Sequence, residues 1–347
     1  MRNTKLTYLL IILFLISCKV DFKPLPKEKN TYALSTETLL TDTNYTGQIE
    51  DFYQQGEEGL LNGKSDISIY YKIFLQPEKQ SPAILISSGR TEAAVKYKEL
   101  IYDLYNNGYS VYIHDHRGQG LSGRMTNDPD MGYIDTFQYY VDDMKYFYDN
   151  KIKTAGHKSI YLLTHSMGGA IGMTYLEQYP EDFNAAAFSS PMLGLDTPTC
   201  GAVKLLAGEE PTYAMGEGEY YDDPQSFKNN TLTGSKIRYI RMVEAFDKEP
   251  KARLGGATYQ WVLKSCDQFD YLFDNIKNIK TPFVLFSAEN EQIVNKKAHQ
   301  YFIEEAQELG KEYEAYLVEN AQHELFIEKD EQRIEVINHI LNYYSKY

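Results

Sequence analysis

The stretch Ser159-Ile160-Tyr161-Leu162-Leu163-Thr164-His165-Ser166-Met167-Gly168-Gly169-Ala170-Ile171-Gly172-Met173 joins two patterns through one serine. Ser159 to Thr164 is a short apolar run of the kind that forms a strand buried on both faces. From Gly168 to Gln178 the spacing is helical, and Pro180 ends it. Between them, Thr164-His165-Ser166-Met167-Gly168 resembles G-x-S-x-G with Thr164 in place of the first glycine. A serine on a tight strand-to-helix turn projects its Oγ outward, and the small residues after it let helix and strand approach. The backbone N–H of Met167 then sits at a helix N-terminus, where developing negative charge is favoured. The plainer alternative is a serine that only caps the helix.

Outward from this turn, strands alternate with helices. Pro82–Ser88, Tyr109–His114, Asn184–Ser189, Pro282–Ser287 and Tyr313–Val318 read as strands, with alternation at Ile67, Ile69, Tyr71 and Ile73 adding a half-buried one. Gly59-Leu60-Leu61-Asn62-Gly63 reads as a hairpin turn. Helical spacing covers Val95–Tyr105, Tyr133–Tyr148, Lys296–Leu309 and Glu331–Tyr344. Such alternation predicts an α/β fold with a mostly parallel sheet and helices on both faces. Residues 196–269 break the pattern with Gly, Pro, Tyr and charged clusters. They are expected to form a cap inserted between core segments 36–195 and 270–347, over the carboxyl ends of the strands, where open α/β sheets keep their ligands.

A serine needs a base and an oxyanion site. The loop after Pro82–Ser88 contains Gly89, which permits close approach, so the Arg90 and Met167 backbone N–H groups are the expected oxyanion donors. The base is expected late in the chain, in the order serine, acid, histidine. Of seven histidines, His323 lies between the last strand and the last helix. His299 and His339 fall inside helices, and His165 points across the turn. The acid belongs after Pro282–Ser287, where both Glu289 and Glu291 stand. Arg90, Arg117 and Arg124 are candidates to meet a phosphate. For Arg117 and Arg124 loop-fixing ion pairs are the competing role.

Two sharper motifs fail on context. Gly118-Gln119-Gly120-Leu121-Ser122-Gly123 matches the dinucleotide signature G-x-G-x-x-G, but loop residues follow it and no helix N-terminus is offered to a pyrophosphate. His114-x-His116 lacks a third ligand, so no metal is expected.

The composition excludes further classes. The 347-residue chain carries a net charge of −14, which disfavours nucleic acid. Three cysteines rule out a disulfide scaffold. Cys200 and Cys266 flank the cap, and pairing or two free thiols are both open. The 31 tyrosines against one tryptophan include Tyr213, Tyr220, Tyr221, Tyr239 and Tyr259 of the cap, a surface suited to an amphipathic ligand. At the start, Arg2 and Lys5 precede an apolar run, Leu6–Ile16, too short to span a membrane and suited to an export signal. It ends in Leu15-Ile16-Ser17-Cys18, which resembles the bacterial lipoprotein cleavage box. Residues 1–17 are thus expected to be removed, Cys18 to carry lipid, and 18–35 to be a tether in the bacterial cell envelope.

Ser87–Tyr97, Asp115–Arg124, His165–Gly169, Ser190-Pro191-Met192, Thr258–Val262 and His323–Asp330 resemble the bacterial lysophospholipases of the α/β-hydrolase fold, which are close to monoacylglycerol lipases. The resemblance runs from about Phe52 to the C-terminus. It implies a cofactor-free serine hydrolase that cleaves the single acyl ester of a lysophospholipid. The triad would be Ser166, Glu291 and His323, with Glu291 where relatives carry Asp, and Arg90 and Met167 the oxyanion donors. A monoacylglycerol lipase or general carboxylesterase is the alternative within enzymes. A lipid-binding lipoprotein that kept the fold without catalysis is the alternative outside them.

Overall fold

The computed structural model describes residues 22–195, 197–220 and 227–347. The leader, Cys18 and Tyr221 lie outside the described residues. Along the chain come β1 (Lys23–Pro24), α1 (Thr43–Gln54), β2 (Glu57–Asn62), β3 (Ser68–Phe74), β4 (Ala83–Ser87), α2 (Lys98–Asn106), β5 (Ser110–His114), α3 (Gln138–Phe147), β6 (Ile160–His165), α4 (Met167–Gln178) and β7 (Ala185–Ser189). The insertion carries α5 (Thr197–Leu206), α6 (Lys236–Lys248) and α7 (Tyr259–Asn275). The chain then returns through β8 (Phe283–Ala288), α8 (Lys296–Glu308), β9 (Tyr313–Val318) and α9 (Asp330–Tyr344).

The strands form one nine-stranded sheet in the order β1-β9-β8-β7-β6-β4-β5-β3-β2. Among the described strands of this sheet, only the β2–β3 and β3–β5 pairings are antiparallel. This is the mostly parallel α/β sheet that the alternation predicts. Leu85 and Leu162 on β4 and β6 pack toward α3, α4 and α7, while Ile84, Ile86 and Leu163 pack toward α2 and α9. Period-two alternation with helices on both sides explains why these strands are apolar throughout. β6 ends centrally in the sheet, so the serine turn emerges there. Among the described residues no helix is long and apolar enough to cross a membrane.

Three expectations change. Gly59–Gly63 is not a turn: residues 57–62 are β2, and the chain reverses after Gly63, whose N–H donates to the Ile67 carbonyl at 2.8 Å. Gly59 serves close approach instead, since a Cβ there would lie 2.6 Å from the Tyr71 hydroxyl. β3 is buried on both faces rather than one. The second face is covered by α1, where Phe52 stacks on Phe74 at 5.1 Å and Tyr53 lies under the Lys72 ammonium. The segment expected as a tether belongs to the fold from residue 22 onward. Lys23 and Pro24 pair with Tyr316 and Leu317, and Leu25 and Leu34 are buried. The Lys- and Pro-rich composition reads as linker, but the apolar residues spaced through it dock onto the β9 edge and α2.

The cap is fastened at several points. Cys200 and Cys266 form a disulfide with a Cα–Cα distance of 5.7 Å, tying α5 to α7. The Arg238 guanidinium of α6 is buried against Glu99, at 3.0 Å, and Asp330, at 2.8 Å. It also donates to the Ser35 carbonyl, so the N-terminal segment helps hold the cap on the core.

Glu177 of α4 is buried with neither carboxylate oxygen hydrogen-bonded, and desolvation pushes its pKa up to about 9. An acid whose folded pKa lies above its unfolded value contributes fully below about pH 4.3, and that contribution is lost as pH rises through the folded value. Glu177→Met is therefore expected to stabilise the chain at pH 8 by about 1–3 kcal/mol. Thermal melts at pH 5 and pH 8 check this, with the gain larger at pH 8.

Candidate active site

Ser166 adopts φ 51° and ψ −119° between β6 and α4. This left-handed geometry is costly for a residue with a side chain. It is held by the surrounding backbone. The Ser166 N–H donates to the Ser189 carbonyl at 3.1 Å, and its carbonyl accepts from Gly169 and Met192. The side chain makes no capping hydrogen bond to α4, so the helix-cap alternative is not what the structure contains. A Cβ on Gly168 would collide with the Ser87 carbonyl and one on Gly169 with Pro191. The turn can therefore close only with glycines at both places. Thr164, in place of the motif's first glycine, fits because its methyl faces Gly172, where a Cβ would stand 2.8 Å away.

The sequence candidates converge around this serine. Gly89 lies against it, with an added Cβ only 3.2 Å from Ser166 Cβ, which brings Arg90 beside the turn. Met167 opens α4, whose first N–H groups have no acceptor within the helix. Ser166, Arg90 and His323 line one cavity of about 770 Å³ beneath the cap. His323 Nδ1 lies 2.7 Å from Glu291 Oε2, and the other Glu291 oxygen accepts from the Ile293 and Val294 N–H groups. Burial alone would raise the Glu291 pKa, but the bond to His323 and its charge, with the two backbone donors, bring it down to about 2. Glu289, the rival, instead accepts from the Asn320 N–H at 2.8 Å and so shapes the loop before His323.

A buried network around these residues was not singled out by sequence reasoning. Glu92 accepts from the Gly89 N–H and from the Tyr97 hydroxyl, the latter at 2.6 Å. Its other oxygen pairs with the Lys96 ammonium, which also bonds Glu324 at 2.6 Å. Glu324 in turn meets His165 Nε2 at 3.1 Å, and His165 Nδ1 donates to the Ser189 carbonyl. Burial would lower the Lys96 and His165 pKa values, yet Glu324 and Glu92 outweigh it and raise both. Burial would raise that of Glu324, yet Lys96 and His165 hold it well below the usual carboxylate range. The only trace in the sequence is adjacency: Glu92 and Lys96 follow Gly89, and Glu324 follows His323.

Among the described residues, Glu92, His165 and Glu324 form the one group with metal-ligand spacing. Lys96 already sits on both carboxylates, in the place a cation would take. The Gly118–Gly123 loop has a mechanical role. Gln119 Nε2 donates to the carbonyls of Gly89 and Glu92, at 2.8 and 2.9 Å, bracing the loop after β4. Gly120 has φ 57°, and a Cβ there would strike Asp115, whose carboxylate accepts from the Ala94 and Leu121 N–H groups. His114 and His116 are buried with rings edge-to-face at 4.7 Å, and desolvation lowers the pKa of each. Arg117 forms a bidentate pair with Asp143 at 2.6 and 2.8 Å. Arg124 is spent on backbone carbonyls, including those of Lys251 and Arg253. Both therefore fix loops, Arg117 through an ion pair and Arg124 through carbonyls, with no ion pair to Arg124 among the described residues.

The cap also reaches the histidine loop. Thr233 Oγ donates to the Ile327 carbonyl at 2.6 Å, and Glu324 N–H donates to the Leu232 carbonyl at 2.8 Å. Of the cap tyrosines, Tyr220 and Tyr239 line the cavity, and Tyr213 donates to Asp128 at 2.8 Å.

Comparison with known proteins accords with this geometry. Residues 78–330 match the family model Hydrolase_4, described as serine aminopeptidase S33. Lysophospholipase L2 of Escherichia coli strain K12 is 33% identical over 312 residues, covering 87% of this chain and 91% of that protein. A probable lysophospholipase L2 of Haemophilus influenzae is 32% identical over 305 residues, covering 85% of this chain and 95% of the other. A soluble variant of Saccharomyces cerevisiae monoglyceride lipase, solved with a substrate analogue, superposes with a TM-score of 0.64 at 19% identity over 84% of this chain and 96% of that one. With a match over most of its length, the chain belongs to the Hydrolase_4 (serine aminopeptidase S33) family and is a serine hydrolase of the α/β-hydrolase fold.

Proposed function

We propose that this chain is a carboxylic ester hydrolase that cleaves the acyl ester of lysophospholipids through a Ser166–Glu291–His323 triad. The observation that carries the proposal is the pairing of Glu291 with His323 at 2.7 Å, on a loop that shares the cavity of the positively twisted Ser166. His323 Nε2 takes the proton of Ser166 as Oγ attacks the ester carbonyl carbon. Glu291 holds the imidazole with its Nδ1 proton inward and stabilises the imidazolium. The Met167 and Arg90 N–H groups receive the oxyanion. Collapse returns the proton to the departing glycerol oxygen and leaves an acyl-serine, which water then opens by the same steps.

The lipid reading rests on the relatives named lysophospholipase, which span most of this chain, and on a cavity whose wall is largely apolar. A volume of about 770 Å³ suits an acyl chain with its glycerol. Met192, Val243, Phe246 and Val262 offer the apolar wall. The two lysophospholipase relatives each span over 90% of their own length, which favours the ester. The same proposal places the mature chain at the bacterial cell envelope, held by lipid on Cys18.

Two results check the triad. Ser166→Ala is expected to lower kcat for a lysophospholipid by about 10⁶, whereas retained turnover would move the nucleophile to another residue, and a wild type without turnover would leave the non-catalytic lipid-binding reading. Glu291→Ala is expected to lower kcat by about 10³–10⁴ while Glu289→Ala falls by less than about tenfold. The reverse order would move the acid to Glu289. Both are read by acyl release from micellar substrate.

A further inference from the structure

We propose that the Arg90 guanidinium is the site that receives the phosphodiester of the substrate's head group, and so sets preference for lysophospholipid over neutral monoacylglycerol. This rests on the lipid-ester reading above and adds a specificity residue to it.

The structure separates Arg90 from the other two arginines of the core loops. Arg117 is neutralised by Asp143, and Arg124 is enclosed by carbonyls. Arg90 has neither arrangement. Its Nη2 donates to the Gly255 carbonyl at 2.9 Å, and its guanidinium lies over the Trp261 ring, 5.1 Å from the centroid. Gly132 makes the passage, since a Cβ there would stand 2.7 Å from Nη2. Among the described residues no carboxylate forms an ion pair with it. Glu217 is close enough to act on its charge, but Glu217 Oε2 is committed to the Ala257 N–H at 3.0 Å. Arg90 lines the substrate cavity with its guanidinium beside the Trp261 ring and, among the described residues, no carboxylate within ion-pair distance, so it has room for an anionic partner.

Position supplies the rest. Arg90 follows Gly89, whose backbone lies against Ser166. A phosphodiester is separated from the scissile ester by only the glycerol backbone. When that ester is at Ser166, the phosphate must lie about one long side chain away, the span that Arg90 covers from the oxyanion loop. Planar guanidinium and phosphate match in a two-pronged hydrogen bond. Arg90 contributes a backbone donor to the reaction and a side-chain donor to recognition, so the test reads a ratio rather than activity alone.

The experiment compares wild type, Arg90→Met and Arg90→Lys on a lysophosphatidylcholine and a monoacylglycerol with the same acyl chain, at active-site concentrations titrated with a fluorophosphonate. The ratio of kcat/KM for the two substrates is expected to fall roughly 10- to 100-fold in Arg90→Met, mainly through KM, and less in Arg90→Lys, which keeps the charge. Misfolded protein is absent from both terms of the ratio. Equal proportional loss on both substrates would overturn the proposal and leave Arg90 as a strut between oxyanion loop and cap. A second arm measures inhibition of p-nitrophenyl ester turnover by glycerophosphocholine and by inorganic phosphate. Glycerophosphocholine is expected to inhibit wild type at least tenfold better than Arg90→Met. Inorganic phosphate matching it, with the same dependence on Arg90, would make this a free-phosphate site and overturn the head-group assignment. Wild type that hydrolyses p-nitrophenyl esters but no lysophospholipid would sink the substrate reading alone, with the glycerophosphocholine arm still deciding the role of Arg90.

Discussion

One ammonium group, Lys96, lies buried between Glu92 and Glu324, and three parts of the site depend on it. Glu92 holds the Gly89 N–H and thus the loop after β4. Glu324 holds His165, which precedes the serine, and is itself the residue after His323. Without the ammonium two buried carboxylates would stand together unpaired, at a cost of several kcal/mol. With it, loops following three different strands are fixed relative to one another. Buried ion pairs are weak contributors to net stability, so positional definition is the better account of this one. The ammonium takes the cation's place in a cluster with metal-ligand spacing.

Strain and close approach follow from the same constraint. Ser166 at φ 51° and Thr91 at φ 61° stand on the two loops that this network joins. Each would relax if its neighbours moved. Gly168 and Gly169 leave no space for a Cβ, so the backbone cannot slip. On the proposed mechanism, rigidity of this kind would let backbone N–H groups point at a charge that exists only during reaction, without reorganising when it forms. The cap adds a second clamp through the Leu232 and Thr233 contacts to the histidine loop.

Much of this was legible in the residues, and the divisions have physical reasons. The parallel strands show as apolar runs because both faces are covered, and the turn at Ser166 shows because its glycines have no substitute. The histidine showed by its place between the last strand and the last helix. Between Glu289 and Glu291 the residues alone left the acid open, and resemblance to relatives pointed to Glu291. In the structure two backbone donors and His323 converge on that one carboxylate. Less visible were features made by long-range packing. Helix α1 lies over a face of β3 that alternation alone would leave to solvent, and the Lys- and Pro-rich start docks on a sheet edge. The Glu92–Lys96–Glu324–His165 network joins residues far apart in sequence, and no local pattern announces it. Gly59 reads as a turn from sequence because glycine marks both turns and crowded strands, and only the cross-strand partner Tyr71 tells them apart.

The central claim is that Ser166, and no other residue, forms the covalent intermediate. Mass spectrometry of the intact chain and its peptides after reaction with a fluorophosphonate tests it directly. A single adduct is predicted, on the peptide carrying Ser166, and its formation should slow strongly in Glu291→Ala. An adduct on a different residue, or none from a chain that still hydrolyses esters, would contradict the account.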